Sequence, residues 1–131
     1  MTSRGLETID RAECDILLRG RTLGRVGVKI ADEVVIFPVY YAVVDDDIVF
    51  RTDPGTKLNA AVLGARVAFE VDGTAPGWSV LVTGHAREIK TLEKLQHART
   101  RLGQDWPEGQ RDRVVAISME KVSGRRLPGP R

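Results

Sequence analysis

The residues best suited to chemistry lie around one turn, Phe50-Arg51-Thr52-Asp53-Pro54-Gly55-Thr56-Lys57-Leu58. An apolar stretch, Ile48-Val49-Phe50, runs into Asp-Pro-Gly, and the chain leaves through Thr-Lys towards a helix. From Arg51 to Lys57 the turn gathers two cations, two hydroxyls (Thr52, Thr56) and several backbone N–H groups. Fixed cations, hydroxyl donors and the positive end of a helix are what a phosphate monoester needs. The spacing is not that of a Walker loop, and no G-x-G-x-x-G occurs. A solvated turn whose Arg51 and Lys57 face water is the plain alternative, and the local sequence leaves both open.

Other catalytic sets are absent. There is no G-x-S-x-G, and neither His85 nor His97 has an identifiable partner in the sequence. Two histidines and one cysteine lie too scattered to hold a metal. Cys14 falls in the apolar register of a helix and reads as a buried structural thiol, and one cysteine forms no internal disulfide. Asp45-Asp46-Asp47 reads as a solvated hairpin tip, since no further cation ligands follow at loop spacing. Trp78 and Ser79 open a strand after a glycine-containing loop, where an indole either caps a barrel end or walls a planar ligand. Tyr40 and Tyr41 follow Pro38, where backbone groups are open to a ligand or the aromatics simply fill the core.

Several elements must position these residues. Asp10-Arg11-Ala12-Glu13 reads as a capping box, and Cys14, Ile16, Leu17 and Leu18 then suit a helix ending near Gly20. Gly24 to Ile30 alternates as a half-buried strand. Val34 to Val44 is almost continuously apolar, so it is buried on both faces or changes face, with its pairing bulged or interrupted at Pro38. A strand over Ile48 to Thr52, a helix over Lys57 to Leu63 and a strand over Val67 to Val71 follow. Asp72 to Gly77 reads as a loop, Trp78 to Ile89 as a long strand and Leu92 to Leu102 as a helix closed by Gly103. Val114 to Met119 is the last strand, and residues from about Gly124 to Arg131 read as a flexible tail. Six strands joined mostly by short turns, without regular β-α-β alternation, predict a mainly β fold: one antiparallel sheet closing as a small barrel.

At 131 residues the chain is a single domain, residues 1–131. Met1 to Asp10 holds no apolar run and no segment has the length of a membrane span, so a cytoplasmic protein that does not engage a membrane is expected. A net charge of +2 with scattered cations, and an aromatic content of 5%, argue against nucleic acid as the partner.

The order of features is more specific than any one of them. An N-terminal helix is followed by Gly24-Arg25-Val26-Gly27-Val28, Pro38-Val39-Tyr40-Tyr41, the Phe50–Leu58 turn, Val67-Ala68-Phe69-Glu70-Val71-Asp72 and Gly77-Trp78-Ser79-Val80-Leu81-Val82. This succession resembles the pyridoxamine 5′-phosphate oxidase-like split-barrel superfamily, in particular its small bacterial branch related to nitroimidazole reductases. The resemblance implies a six-stranded antiparallel split β-barrel, a homodimer, and flavin mononucleotide (FMN) in grooves at the dimer interface. It implies that Arg51, Thr52, Thr56 and Lys57 hold the phosphate. Val39, Tyr40 and Tyr41 then border the isoalloxazine ring through their backbone, and Trp78 and Ser79 come from the strand lining the site, from the other subunit. The branch usually shows Asn where this chain has Tyr40.

The expected activity is that of a flavin-dependent oxidoreductase acting on a small molecule, with the catalytic side chains unassigned. Its electron donor is expected to be a nicotinamide cofactor met by encounter, because the chain holds no dinucleotide motif. Only Gly124-Arg125-Arg126-Leu127 follows the last strand, which does not match the basic substrate-binding segment of the full oxidases, so vitamin B6 is not the expected substrate. The rival readings are a deazaflavin-dependent reductase and a non-catalytic flavin or haem carrier or sensor.

Overall fold

Apolar–polar alternation sets the first long strands of the protein, whose computed structural model describes residues 7–103 and 113–128. Strand β2 (Leu23–Ile30) turns Val26 and Val28 inward and Arg25 and Lys29 outward. It pairs antiparallel with β3 (Glu33–Val44) from Ile30↔Glu33 to Leu23↔Tyr40. The short turn at Asp45 then returns the chain as β4 (Asp47–Thr52), which pairs with β3 from Val44↔Asp47 to Tyr41↔Phe50. Helix α2 (Lys57–Val62) leads to β5 (Arg66–Thr74), which pairs with β2 and with β6 (Gly77–Glu88). Finally β7 (Arg113–Ser118) lies between β4 and the end of β6.

The ring β6-β5-β2-β3-β4-β7 therefore closes on β6, giving a six-strand antiparallel barrel with short helices. Its interior holds Val26, Val28, Tyr41, Phe50, Phe69, Val80, Val82 and Ile117 among others. Fully burying such a side chain is worth about 1.5–3 kcal/mol. Helix α3 (Leu92–Leu102) covers the outside of β3, β4 and β7, where Ala98 and Leu95 pack on Val44, Val49, Val114 and Ala116. That second layer explains why Val114 to Ile117 are buried without alternation: the strand has core on both faces. None of the helices in the described residues is long and apolar enough to cross a membrane.

Several elements differ from the sequence reading. Two short strands were not anticipated: β1 (Glu7–Ile9) and β8 (Lys121–Arg126), which pair with each other, β8 also pairing with the first half of β6. Gly124, Arg125 and Arg126 are thus ladder residues and not the start of a tail; residues 129–131 lie outside the described residues. Gly124 belongs there because a Cβ would meet the Cys14 sulfur at 2.6 Å. The stretch Asp72–Gly77 is a ladder continued to Thr74↔Gly77, with Gly73 leaving room for the Trp78 indole. The first turn of α1 (Arg11–Arg19) is half of a capping box. Glu13 N–H donates to Asp10 Oδ1 at 2.8 Å, while the Glu13 carboxylate pairs with Arg126 on β8.

Strand β6 changes partner part-way: Trp78 to Thr83 face β8, and Ala86 to Glu88 face β7. Gly84 sits at the handover, and a Cβ there would lie 1.6 Å from the Ser118 carbonyl oxygen. Gly84→Ala should destabilise the protein by about 3 kcal/mol or more, lowering Tm by about 10 °C. Gly27→Ala, whose Cβ would meet nothing closer than 3.8 Å, should change stability by less than about 0.5 kcal/mol. Thermal unfolding of the two variants checks the contrast.

Candidate functional site

The Arg51–Lys57 turn is organised by its own hydroxyls. Strand β4 delivers Thr52 inward at 3% exposure, and among the described residues it is the one buried serine or threonine. Its hydroxyl donates to Asn59 Oδ1 at 2.7 Å. Gly55, with φ of +87°, closes the turn. Thr56 is the N-cap of α2: its Oγ1 accepts from Asn59 N–H at 3.1 Å and donates to the Asp53 carbonyl at 2.8 Å. The sequence reading placed both threonines at this turn but missed Asn59. The available signal was Thr56-x-x-Asn59, the spacing of an N-cap and the third helical residue.

Beside this turn opens a cleft of about 600 Å³, within the range of small-molecule sites. One wall is the turn itself, with Arg51, Thr52, Asp53, Thr56, Lys57 and Leu58, and the other is β3 from Phe37 to Tyr40. The backbone parity of β3 decides what that wall offers. Tyr41 N–H donates to Thr22 O at 2.9 Å, so odd-numbered residues of β3 face β2 with their backbone groups. Pro38 and Tyr40 direct theirs to the opposite edge, where pairing with β4 begins only at Tyr41. Pro38 therefore interrupts nothing. The β2–β3 ladder runs through Arg25↔Pro38 without a bulge, because the missing donor belongs to the edge that no described strand covers.

The structure thus brings Val39, Tyr40, Arg51, Thr52, Thr56 and Lys57 to one cleft. Tyr40 is 63% exposed at its rim. Tyr41 points the other way, into the barrel, where its hydroxyl donates to Leu18 O at 2.5 Å and its ring meets Phe69 edge-on at 4.7 Å. Burial pushes its phenol well above the usual tyrosine range, with nearby Arg21 opposing the shift.

Trp78 and Ser79 do not line this cleft within the same chain. Trp78 is buried among the barrel residues, with the Arg21 guanidinium 5.3 Å above its ring, an arrangement that caps the barrel end. Ser79 faces outward and donates to Glu70 Oε2 at 2.7 Å, in a network where Arg25 bridges Glu70 and Asp72 at 3.1 and 3.2 Å. Partial burial raises the Glu70 carboxyl above its ordinary range; Ser79 opposes this, Asp72 adds to it, and Arg25 again opposes it.

His85 lies on the outer face, its Nδ1 2.7 Å from Glu120 Oε2, which also accepts from Ser118. Those contacts, His85 first, hold the Glu120 carboxyl below its ordinary range. The Ser118 hydroxyl points to the carboxylate and not to the imidazole, so the trio is a hydrogen-bonded cluster without a nucleophile–base hydrogen bond. His97 lies on α3, among the residues lining a second cleft between that helix and the strands. Among the described residues no three His, Cys, Asp or Glu side chains are grouped to hold a metal.

A sequence model of the family described as pyridoxamine 5′-phosphate oxidase matches residues 10–126, nearly the whole chain. The chain belongs to this family. A relative within reach is the uncharacterised protein Rv0080 of Mycobacterium tuberculosis, 36% identical over 135 residues, covering 96% of this chain and 88% of the relative. Among solved structures, an FAD-binding protein from Mycobacterium smegmatis superposes with a TM-score of 0.86 at 30% identity, covering 95% of this chain and all of its own. An FAD-binding protein from Mesorhizobium loti gives 0.76 at 28% identity, covering 92% and 96%. The barrel expected from the order of motifs is the barrel of this family.

Tyr41 lies outside the cleft, its N–H committed to Thr22 and its side chain to the barrel interior. Tyr41→Phe removes the partner of the Leu18 carbonyl and should cost about 1–2 kcal/mol of stability. Affinity for FMN, the cofactor expected from the sequence, should stay within about twofold, since 1 kcal/mol of binding would already be fivefold. Thermal melts and FMN titration on the same variant check both halves.

Proposed function

We propose that the protein binds a flavin nucleotide in the cleft between β3 and the Arg51–Lys57 turn, with FMN as the minimal ligand, and works as a flavin-dependent oxidoreductase on a small molecule. The observation that carries this reading is the pairing of an uncovered backbone edge at Pro38–Tyr40 with two cations, Arg51 and Lys57, across one cleft. A flavin nucleotide needs both: hydrogen-bonding backbone at the edge of a planar ring system, and fixed positive charge at a phosphate. The FAD-binding proteins of similar fold support a flavin and leave the nucleotide tail open, since FMN and FAD share the 5′-phosphate. Bound flavin would supply the electron-transfer chemistry, which no side chain of this cleft provides. The chain's own part is to hold the phosphate with Lys57 and Arg51, to fix the ring edge along β3, and to exclude water with Phe37, Val39 and Leu58.

The protein is proposed to act as a homodimer. The outer face of β2 and β3 exposes Leu23, Val34, Ile36 and Tyr40, and Leu81 lies on the outer face of β6. Such exposed apolar side chains on one sheet mark an interaction surface. Ser79 lies on the same outward side, so a second copy covering this face is the route by which a Ser79 comes near a cleft it does not line in its own chain. The buried, unpaired Cys14 suits the reducing cytoplasm, which we take as its compartment.

Three measurements test these statements. Sedimentation should give a dimer at micromolar concentration, and Ile36→Glu should shift it to monomer; a wild-type monomer holding full cofactor would sink the shared site. Lys57→Ala should weaken FMN and FAD binding by about tenfold to a hundredfold, as expected for a charge-assisted contact, and leave riboflavin affinity nearly unchanged. Equal losses for all three ligands would place Lys57 away from the phosphate. The mass of the cofactor released on denaturation names the nucleotide.

A further inference from the structure

We propose that Asn59 is the positioning residue of the phosphate end, acting through Thr52, and that the Thr52 hydroxyl serves the turn and not the ligand. The proposal rests on the reading of the cleft as a phosphate site and adds to it a residue that does not line the cleft. A threonine hydroxyl carries one proton. That of Thr52 goes to Asn59 Oδ1 at 2.7 Å, and that of Thr56 goes to the Asp53 carbonyl at 2.8 Å. Neither is left for a phosphate oxygen in this arrangement.

The contacts close a loop. Thr52 donates to the Asn59 side chain, Asn59 N–H donates to Thr56, Thr56 donates to Asp53, and Asp53 is bonded to Thr52. Asn59 thus ties the end of β4 to the cap of α2 through its side chain and its N–H, with Arg51 next to Thr52 and Lys57 next to Thr56 in the chain. The helix has six residues, too few to be stable by itself, so the direction in which Lys57 leaves the turn is set by this ring. Thr52 is buried at 3% exposure, where an unmade hydrogen bond is expensive and a made one is geometrically strict. An acceptor at Asn59 therefore fixes the end of β4 relative to Lys57 more tightly than solvent-exposed contacts do.

The experiment is a double-mutant cycle on the full chain with Thr52→Val, Asn59→Ala and the pair, titrated with FMN and with riboflavin, alongside Thr52→Ser. Each single variant should weaken FMN about fivefold to thirtyfold, the pair should be no worse than the singles, and Thr52→Ser should retain wild-type affinity. Riboflavin affinity should be unchanged throughout. Amide hydrogen exchange of unliganded Asn59→Ala should show faster exchange confined to residues 53–60. A loss in Thr52→Val without a loss in Asn59→Ala would mean that Thr52 meets the phosphate itself, and additive losses would mean two independent roles. Either result overturns the proposal, as does equal weakening of riboflavin or exchange raised across the barrel. Failure of the underlying phosphate reading looks different: wild type would then bind FMN and riboflavin alike.

Discussion

The architecture depends on one strand belonging to two ladders. β6 takes β8 as its neighbour over Trp78–Thr83 and β7 over Ala86–Glu88, and it keeps β5 along its other edge. A sheet closes into a barrel only if its first and last strands meet, and here the meeting occurs along three residues of β6. The exchange of partner happens where Gly84 allows the Ser118 carbonyl to approach the backbone. Glu120 N–H then donates to Thr83 O at 3.1 Å and starts the β8 ladder at once. Without that close approach β7 and β8 compete for the same edge, and the ring β5-β2-β3-β4 stays open.

Closure on one side has a counterpart on the other. β3 has twelve residues and β4 six, and β4 pairs with β3 only over Tyr41–Val44. The rest of β3 keeps an exposed face at Val34, Ile36 and Tyr40 and, among the described residues, an unpaired edge beside the Arg51–Lys57 turn. An unpaired edge is ordinarily a liability that proline blunts. Pro38 sits on that edge without disturbing the β2 ladder, so the strand both resists further pairing there and retains carbonyl groups for a ligand. The cleft is what remains where the shorter strand ends.

Much of this was legible from residue types. The half-buried alternation expected of Gly24 to Ile30 is seen in β2, with Val26 and Val28 inward and Arg25 and Lys29 outward. The motif order gave the family, which the match over residues 10–126 bears out. Local pattern failed where long-range pairing decided. Gly124-Arg125-Arg126 has the composition of a tail, yet it is a strand because β6 offers an edge and Arg126 reaches Glu13. Asp72–Gly77 has turn composition, yet the hairpin ladder overrides it as far as Thr74. Pro38 suggested an interruption because sequence does not reveal which edge of a strand is covered. Asn59 escaped notice because its role is a contact with Thr52, and spacing alone marks only its contact with Thr56.

The site's chemistry follows from which groups are committed and which are not. The hydroxyls of Thr52, Thr56 and Tyr41 are each donated to a protein acceptor, so they shape the walls. Lys57 and the β3 edge remain at the cleft surface, one a point charge on a flexible stem and the other a rigid row of dipoles. That division suits a ligand with a compact anionic group at one end and a planar hydrogen-bonding edge at the other. It also suits a cofactor that brings its own reactivity. The protein's contribution is then placement, and placement is what the turn's hydrogen-bond ring and the barrel's closure both provide.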